Sequence, residues 1–67
     1  MTESIHNFAE TGVTYTDLIF SPDDGGWYFH EASKEQLLSR TSRRIFPSAD
    51  DAKKDFNRGL VKWSKWS

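Results

Sequence analysis

Cysteine is absent from this chain, and histidine occurs only at His6 and His30. Disulfide stapling and thiolate metal sites are thereby excluded, and two isolated imidazoles do not make a structural zinc set. No apolar run approaches the roughly 18 residues of a membrane-spanning helix. The first residues also lack the basic start and apolar centre of a secretory signal, so the expected address is cytoplasmic, with no membrane association. Positive charge is missing from the first half of the chain, because residues 1–33 hold six carboxylates and no Lys or Arg. No nucleophile and base stand at a useful spacing, and no metal-ligand pattern appears. His30 and Glu31 are neighbours that a strand would point to opposite faces. The sequence therefore points away from an enzyme and implies no cofactor.

What is present is a short, aromatic-rich chain of 67 residues with five Phe, three Trp and two Tyr. A domain of this size buries only about 60% of the surface its unfolded chain exposes. With no disulfide or metal, association is the remaining support, so a homodimer is expected. Residues 34–67 hold all nine cations against four carboxylates. The formal net charge of −1 therefore conceals two opposed fields along the chain.

Residues 1–11 show no periodicity, which predicts a flexible N-terminal arm ahead of a single small α+β domain over residues 12–67. Residues 13–21 are rich in β-branched and aromatic side chains and predict a first strand. Pro22-Asp23-Asp24-Gly25-Gly26 then signals a hairpin turn, since Pro presets φ, Asp closes turns through its side chain, and Gly tolerates positive φ. Residues 27–31 predict a second strand, with Trp27, Phe29 and Glu31 on one face and Tyr28 and His30 on the other. Residues 37–46 alternate and predict a third strand. A helix over residues 34–44 is the competing reading, because Lys, Glu, Gln, Leu and Arg are good helix formers. Ser48 with Asp51 three residues on resembles a capping box and predicts a helix start. Its apolar stripe is Ala49, Ala52, Phe56, Leu60 and Trp63. Gly59 interrupts that stripe and leaves open whether residues 60–66 continue the helix, form a short strand or pack as a tail. The fold expected is thus a three-stranded antiparallel sheet with one C-terminal amphipathic helix packed on one face.

Gly26-Trp27-Tyr28-Phe29-His30, Leu37-Leu38, Thr41-Ser42, Phe46-Pro47-Ser48 and the helix face Ala52, Phe56 and Leu60 together resemble the YegP-like domains of unknown function, over about residues 18–60. The chain departs from that pattern at Glu31, where the family tends to have an aliphatic residue. It departs again at Lys34-Glu35, which replaces an Asn-Gly turn, and at the extra residue between Ser42 and Phe46. The resemblance implies one β-β-β-α unit of a kind usually found in tandem, which would need a partner to complete its sheet. It brings no known activity.

The function expected is that of a small interaction protein that binds and modulates or occludes another macromolecule, in the manner of a phage or mobile-element inhibitor of a host factor. Its partner-facing residues would be the acidic Glu3, Glu10, Asp23 and Asp24 with the aromatic Trp27, Tyr28 and Trp66. Carboxylates would meet a basic site, and Trp and Tyr are frequent interface anchors. The alternative is direct nucleic-acid binding. For that, Arg40, Arg43, Arg44, Lys53, Lys54, Lys62 and Lys65 would meet phosphates, and the tryptophans would stack on bases.

Overall fold

The computed structural model of the chain describes residues 4–67. It is an α+β domain in which β1 (Ile5–Glu10), β2 (Thr14–Ser21), β3 (Gly26–Ser33) and β4 (Ser39–Thr41) form one antiparallel sheet in that order, followed by α1 (Ala49–Asn57). The sheet has four strands where three were expected, because the segment read as an arm pairs with β2 from Ile5 onward. The reason lies in Phe8, whose ring reaches the core 5.7 Å from Phe29 and 5.1 Å from Phe56. Between the Ile5/Leu18 and Ala9/Thr16 pairs, β1 advances four residues while β2 advances two. Asn7 absorbs this bulge at φ 53° and donates its N–H to Asp17 Oδ1 at 2.8 Å. The irregularity lets Ile5, Phe8 and Ala9 all serve the inner face, and it hides the strand from any test of simple alternation.

The central hairpin follows the sequence signal. β2 and β3 pair from Thr14/Ser33 to Ser21/Gly26, and the turn between them holds Asp24 as acceptor for the Ser21 hydroxyl at 2.9 Å. Its inner face carries Thr16, Leu18 and Phe20 opposite Glu31, Phe29 and Trp27; its outer face carries Tyr15, Asp17 and Ile19 opposite Ala32, His30 and Tyr28. Leu18, Phe29, Phe46, Trp27 and Ala52 form the buried core. Phe29 sits at its centre and meets the rings of Phe8, Phe46, Phe56 and Trp63 at centroid distances of 5.1 to 6.1 Å.

The third predicted strand shrinks to Ser39–Thr41. Neither a ten-residue strand nor the competing helix forms, and the cause is visible in the register. Ser42 bonds Phe29 and Phe46 bonds Trp27, so the chain advances four residues against two on β3. Arg43, Arg44 and Ile45 are extruded as a loop. Ser42 fastens it, since its hydroxyl accepts from Phe29 N at 3.0 Å and donates to Arg44 O at 3.1 Å. Phe46 then returns to a reciprocal backbone pair with Trp27. Gly26 is required beside it, because a Cβ there would lie 2.5 Å from Ile45 and 2.6 Å from the Phe46 carbonyl.

Ser48 caps α1, accepting from Asp51 N at 3.1 Å with an extended backbone. The helix ends at Gly59, whose φ of 69° fits the left-handed stop. Gly59 N–H bonds Phe56 O and Leu60 N–H bonds Asp55 O, the double closure of a Schellman motif. Leu60 is therefore no part of the helical stripe and stays 58% exposed. Residues 60–67 run instead along the outer edge of β4. Ser67 and Ser39 exchange backbone bonds in both directions, Ser64 N–H bonds Thr41 O, and Arg43 N–H bonds Lys62 O. The tail thus covers the edge that a fifth strand would cover.

Candidate functional site

The sequence candidates do not form one surface. Glu3 lies outside the described residues. Asp23 and Asp24 are exposed at the β2–β3 turn, whereas Glu10 and Trp66 lie at the far end of the sheet, roughly 23 Å away along an eight-residue strand. Trp27 is not a surface aromatic. It is buried against Phe20, with ring centroids 5.4 Å apart, and is excluded as a partner contact. Tyr28 sits half-buried on the outer sheet face beside Ile19.

The charge split is partly consumed inside the fold. Glu10 pairs with Lys34, Glu31 with Arg40 and Asp55 with Arg44, while Asp17 supports the Asn7 bulge. The Arg40 pair is the most sheltered, with Nε 2.6 Å from Glu31 Oε1 and both side chains mostly covered. Its guanidinium also lies 4.7 Å from the centroid of Trp63 and 4.6 Å from that of Trp66. The sequence hints at this only through the repeated Lys-Trp-Ser of residues 62–64 and 65–67. Two tryptophans three apart on a regular strand would face opposite ways. Here the tail advances three residues between its Ser64 and Ser67 contacts while β4 advances two, from Thr41 to Ser39, and this offset brings both indoles to Arg40. Arg40, Trp63 and Trp66 are therefore engaged with one another, and Trp66 stays exposed.

At this end of the molecule the surface turns apolar. Among the described residues, Val13, Leu37, Leu38 and Trp66 make up four of the six exposed large hydrophobic side chains, and they come from three distant stretches of chain. Val13, Leu38 and Trp66 line a cleft of about 360 Å³ whose polar wall is Thr14, Ser33, Glu35 and Gln36. A second cleft of about 240 Å³ lies across the same loop, between Leu37 and Leu38 on one side and Tyr15 and Ala32 on the other. The loop is well fixed. Ser33 N–H bonds Leu38 O, Lys34 N–H bonds Val13 O, and the Ser33 hydroxyl accepts from Glu35 N and Gln36 N. The sequence reading passed over Val13, Leu37, Leu38 and Glu35, although an aliphatic pair directly after a polar turn is the signal that could have marked them.

The remaining basic candidates separate into two groups. Arg43, Arg44 and Lys62 line a smaller cleft near the end of α1, whereas Lys54 and Lys65 are exposed elsewhere and Lys53 is half-buried on α1. Among the described residues no three His, Asp or Glu side chains converge as metal ligands, and no helix is long and apolar enough to cross a membrane. His6 Nδ1 lies 3.9 Å from Asp17 on the β1–β2 surface, and Glu31 and His30 face opposite sides of the sheet. Compared with known proteins, the chain matches no family model, no curated protein and no solved structure.

Proposed function

We propose that this chain is a non-enzymatic interaction module that holds a protein partner against the apolar end formed by Val13, Leu37, Leu38 and Trp66. The convergence of Val13, Leu38 and Trp66 on one cleft, with Leu37 exposed at the adjoining one, carries the reading. Clustered exposed apolar groups mark interaction surfaces, whereas single ones are ordinary. The surface is also preorganised, because the Ser33 and Val13 hydrogen bonds hold the loop and Arg40 holds Trp66. Preorganisation lowers the ordering cost of association. The exposed Glu35 carboxylate has no ion-pair partner among the described residues and sits in the cleft wall. The segment that fits is an apolar side chain flanked by a basic residue. Occlusion of a partner's own binding site is the simplest consequence of such a contact, and a cytoplasmic site of action suits a cysteine-free chain. The order β2, β3, β4, α1 agrees with the β-β-β-α unit that the YegP-like resemblance implies. On that reading β1 is an addition, and the chain's own tail supplies the completing edge.

A photocrosslinking side chain at position 37 tests the reading in cell extract, against the same probe at position 23. Position 37 is expected to give a discrete adduct that Leu38→Glu abolishes and Asp23→Asn/Asp24→Asn leaves intact. An adduct formed only from position 23 would return the function to the acidic turn. Tight, salt-sensitive binding of a labelled oligonucleotide would favour the nucleic-acid alternative instead.

A further inference from the structure

A second surface, made of other residues, is the loop that the register shift extrudes from β4. We infer that the cleft between this loop and the tail binds an acidic peptide segment carrying an apolar side chain. The cleft has a volume of about 230 Å³ and is lined by the three cations Arg43, Arg44 and Lys62. Its one carboxylate, Asp55, lies 3.4 Å from Arg44 Nη1 and so answers one of the three. Arg43 and Lys62 have no ion-pair partner among the described residues. Both are held in place through their backbones, since Arg43 N–H donates to Lys62 O at 2.8 Å, and the Ser42 hydroxyl closes the same loop. Their backbones stand side by side and both side chains line one cleft, so an anion seated there can meet both cations.

The floor decides which anion fits. It consists of Leu60 and Val61 over the buried Phe46, with Leu60 more than half exposed. An aliphatic floor beneath two cations suits a carboxylate neighbouring an aliphatic or aromatic residue. A nucleic acid would want a flat ring beside the phosphate contact, but the Phe46 ring is covered and neither tail tryptophan lines this cleft. The surface therefore complements an acidic, apolar-anchored protein segment, and it shares none of its lining residues with the apolar end.

The test is fluorescence anisotropy on the full chain with a short labelled peptide alternating Asp and Leu. The comparison probes are an Asp/Ser peptide and a single-stranded oligothymidine. Binding of the Asp/Leu peptide is expected to weaken with added salt and to fall by about tenfold or more in Arg43→Glu/Lys62→Glu, as lost charge-assisted contacts require. Circular dichroism should show the fold of that variant unchanged, since both side chains are exposed. Leu60→Ser, which touches no cation, should weaken the Asp/Leu peptide and leave the Asp/Ser peptide unaffected. Absence of Asp/Leu binding at low salt overturns the inference, as does equal binding by the charge-reversed variant or equal affinity for the Asp/Ser peptide. Tighter binding of oligothymidine through Arg43 and Lys62 replaces the peptide with nucleic acid. The photocrosslink at position 37 is independent of all of these outcomes.

Discussion

Phe29 touches four other aromatic rings, and a domain this small has few other buried contacts to spare. Phe29→Ala is expected to remove about 3–5 kcal/mol, comparable with the whole stability of a small domain, and circular dichroism should show an unfolded chain. Gly26 and Gly12 make a sharper pair. Alanine at Gly26 would press on Ile45 and the Phe46 carbonyl, whereas nothing lies within 4 Å of a Cβ at Gly12. Urea denaturation should show Gly26→Ala less stable by about 1–3 kcal/mol and Gly12→Ala within about 0.5 kcal/mol of the parent. Arg40 carries a different load, because it joins Glu31 to two indoles at once. Arg40→Ala should cost about 2–3 kcal/mol and red-shift the tryptophan emission as Trp66 loses its stack. Arg40→Lys keeps the charge but not the planar fork, so it should restore only part of the loss.

At the level of elements, caps and edges govern what forms. Ser48→Ala removes the acceptor for Asp51 N–H and should lower stability by about 1 kcal/mol. Removing residues 60–67 takes away Trp63 from the core and the backbone partners of Ser39, Thr41 and Arg43. Circular dichroism of that truncation is expected to show loss of the cooperative melt, and retention of the full melt would show the tail to be dispensable. The same elements explain what could be read from the sequence. The β2–β3 hairpin and the start of α1 were legible because Pro22-Asp23-Asp24-Gly25 and Ser48-x-x-Asp51 act through local chemistry. β1 and the true extent of β4 were not, because in each the chain advances four residues while its partner advances two, and the extra residues carry no local turn signal. Such shifts are set by distant partners, Asp17 for one and Phe29 with Trp27 for the other. The tail's pairing with β4 is longer in range still, and only the Lys-Trp-Ser repeat hinted at it.

For the molecule as a whole, the charge asymmetry that dominates the sequence is only partly an internal affair. Three Lys or Arg pairs with carboxylates cross between the halves or within the second, while Asp23, Asp24 and Glu35 on one side and Arg43, Lys54, Arg58, Lys62 and Lys65 on the other stay exposed without an ion-pair partner among the described residues. The candidate site was legible only at Trp66, since exposure of Val13, Leu37 and Leu38 depends on how three segments meet. A homodimer, expected from size, now has less need of a shared sheet, because the tail already occupies the outer side of β4 and β1 is bulged at Asn7. If two copies associate, the apolar end is their contact; sedimentation equilibrium should then find the Leu37→Glu/Leu38→Glu variant monomeric while the parent associates. A dimer unaffected by that variant would place the contact elsewhere. The tail also fixes an order of events during synthesis. β1, β2 and β3 leave the ribosome as a complete meander while β4 has a bare edge and Phe29 lacks the cover of Trp63. Only when residues 60–67 emerge are both closed, so the nascent chain passes through an interval in which this strand edge has no guard beyond its brevity and its arginine.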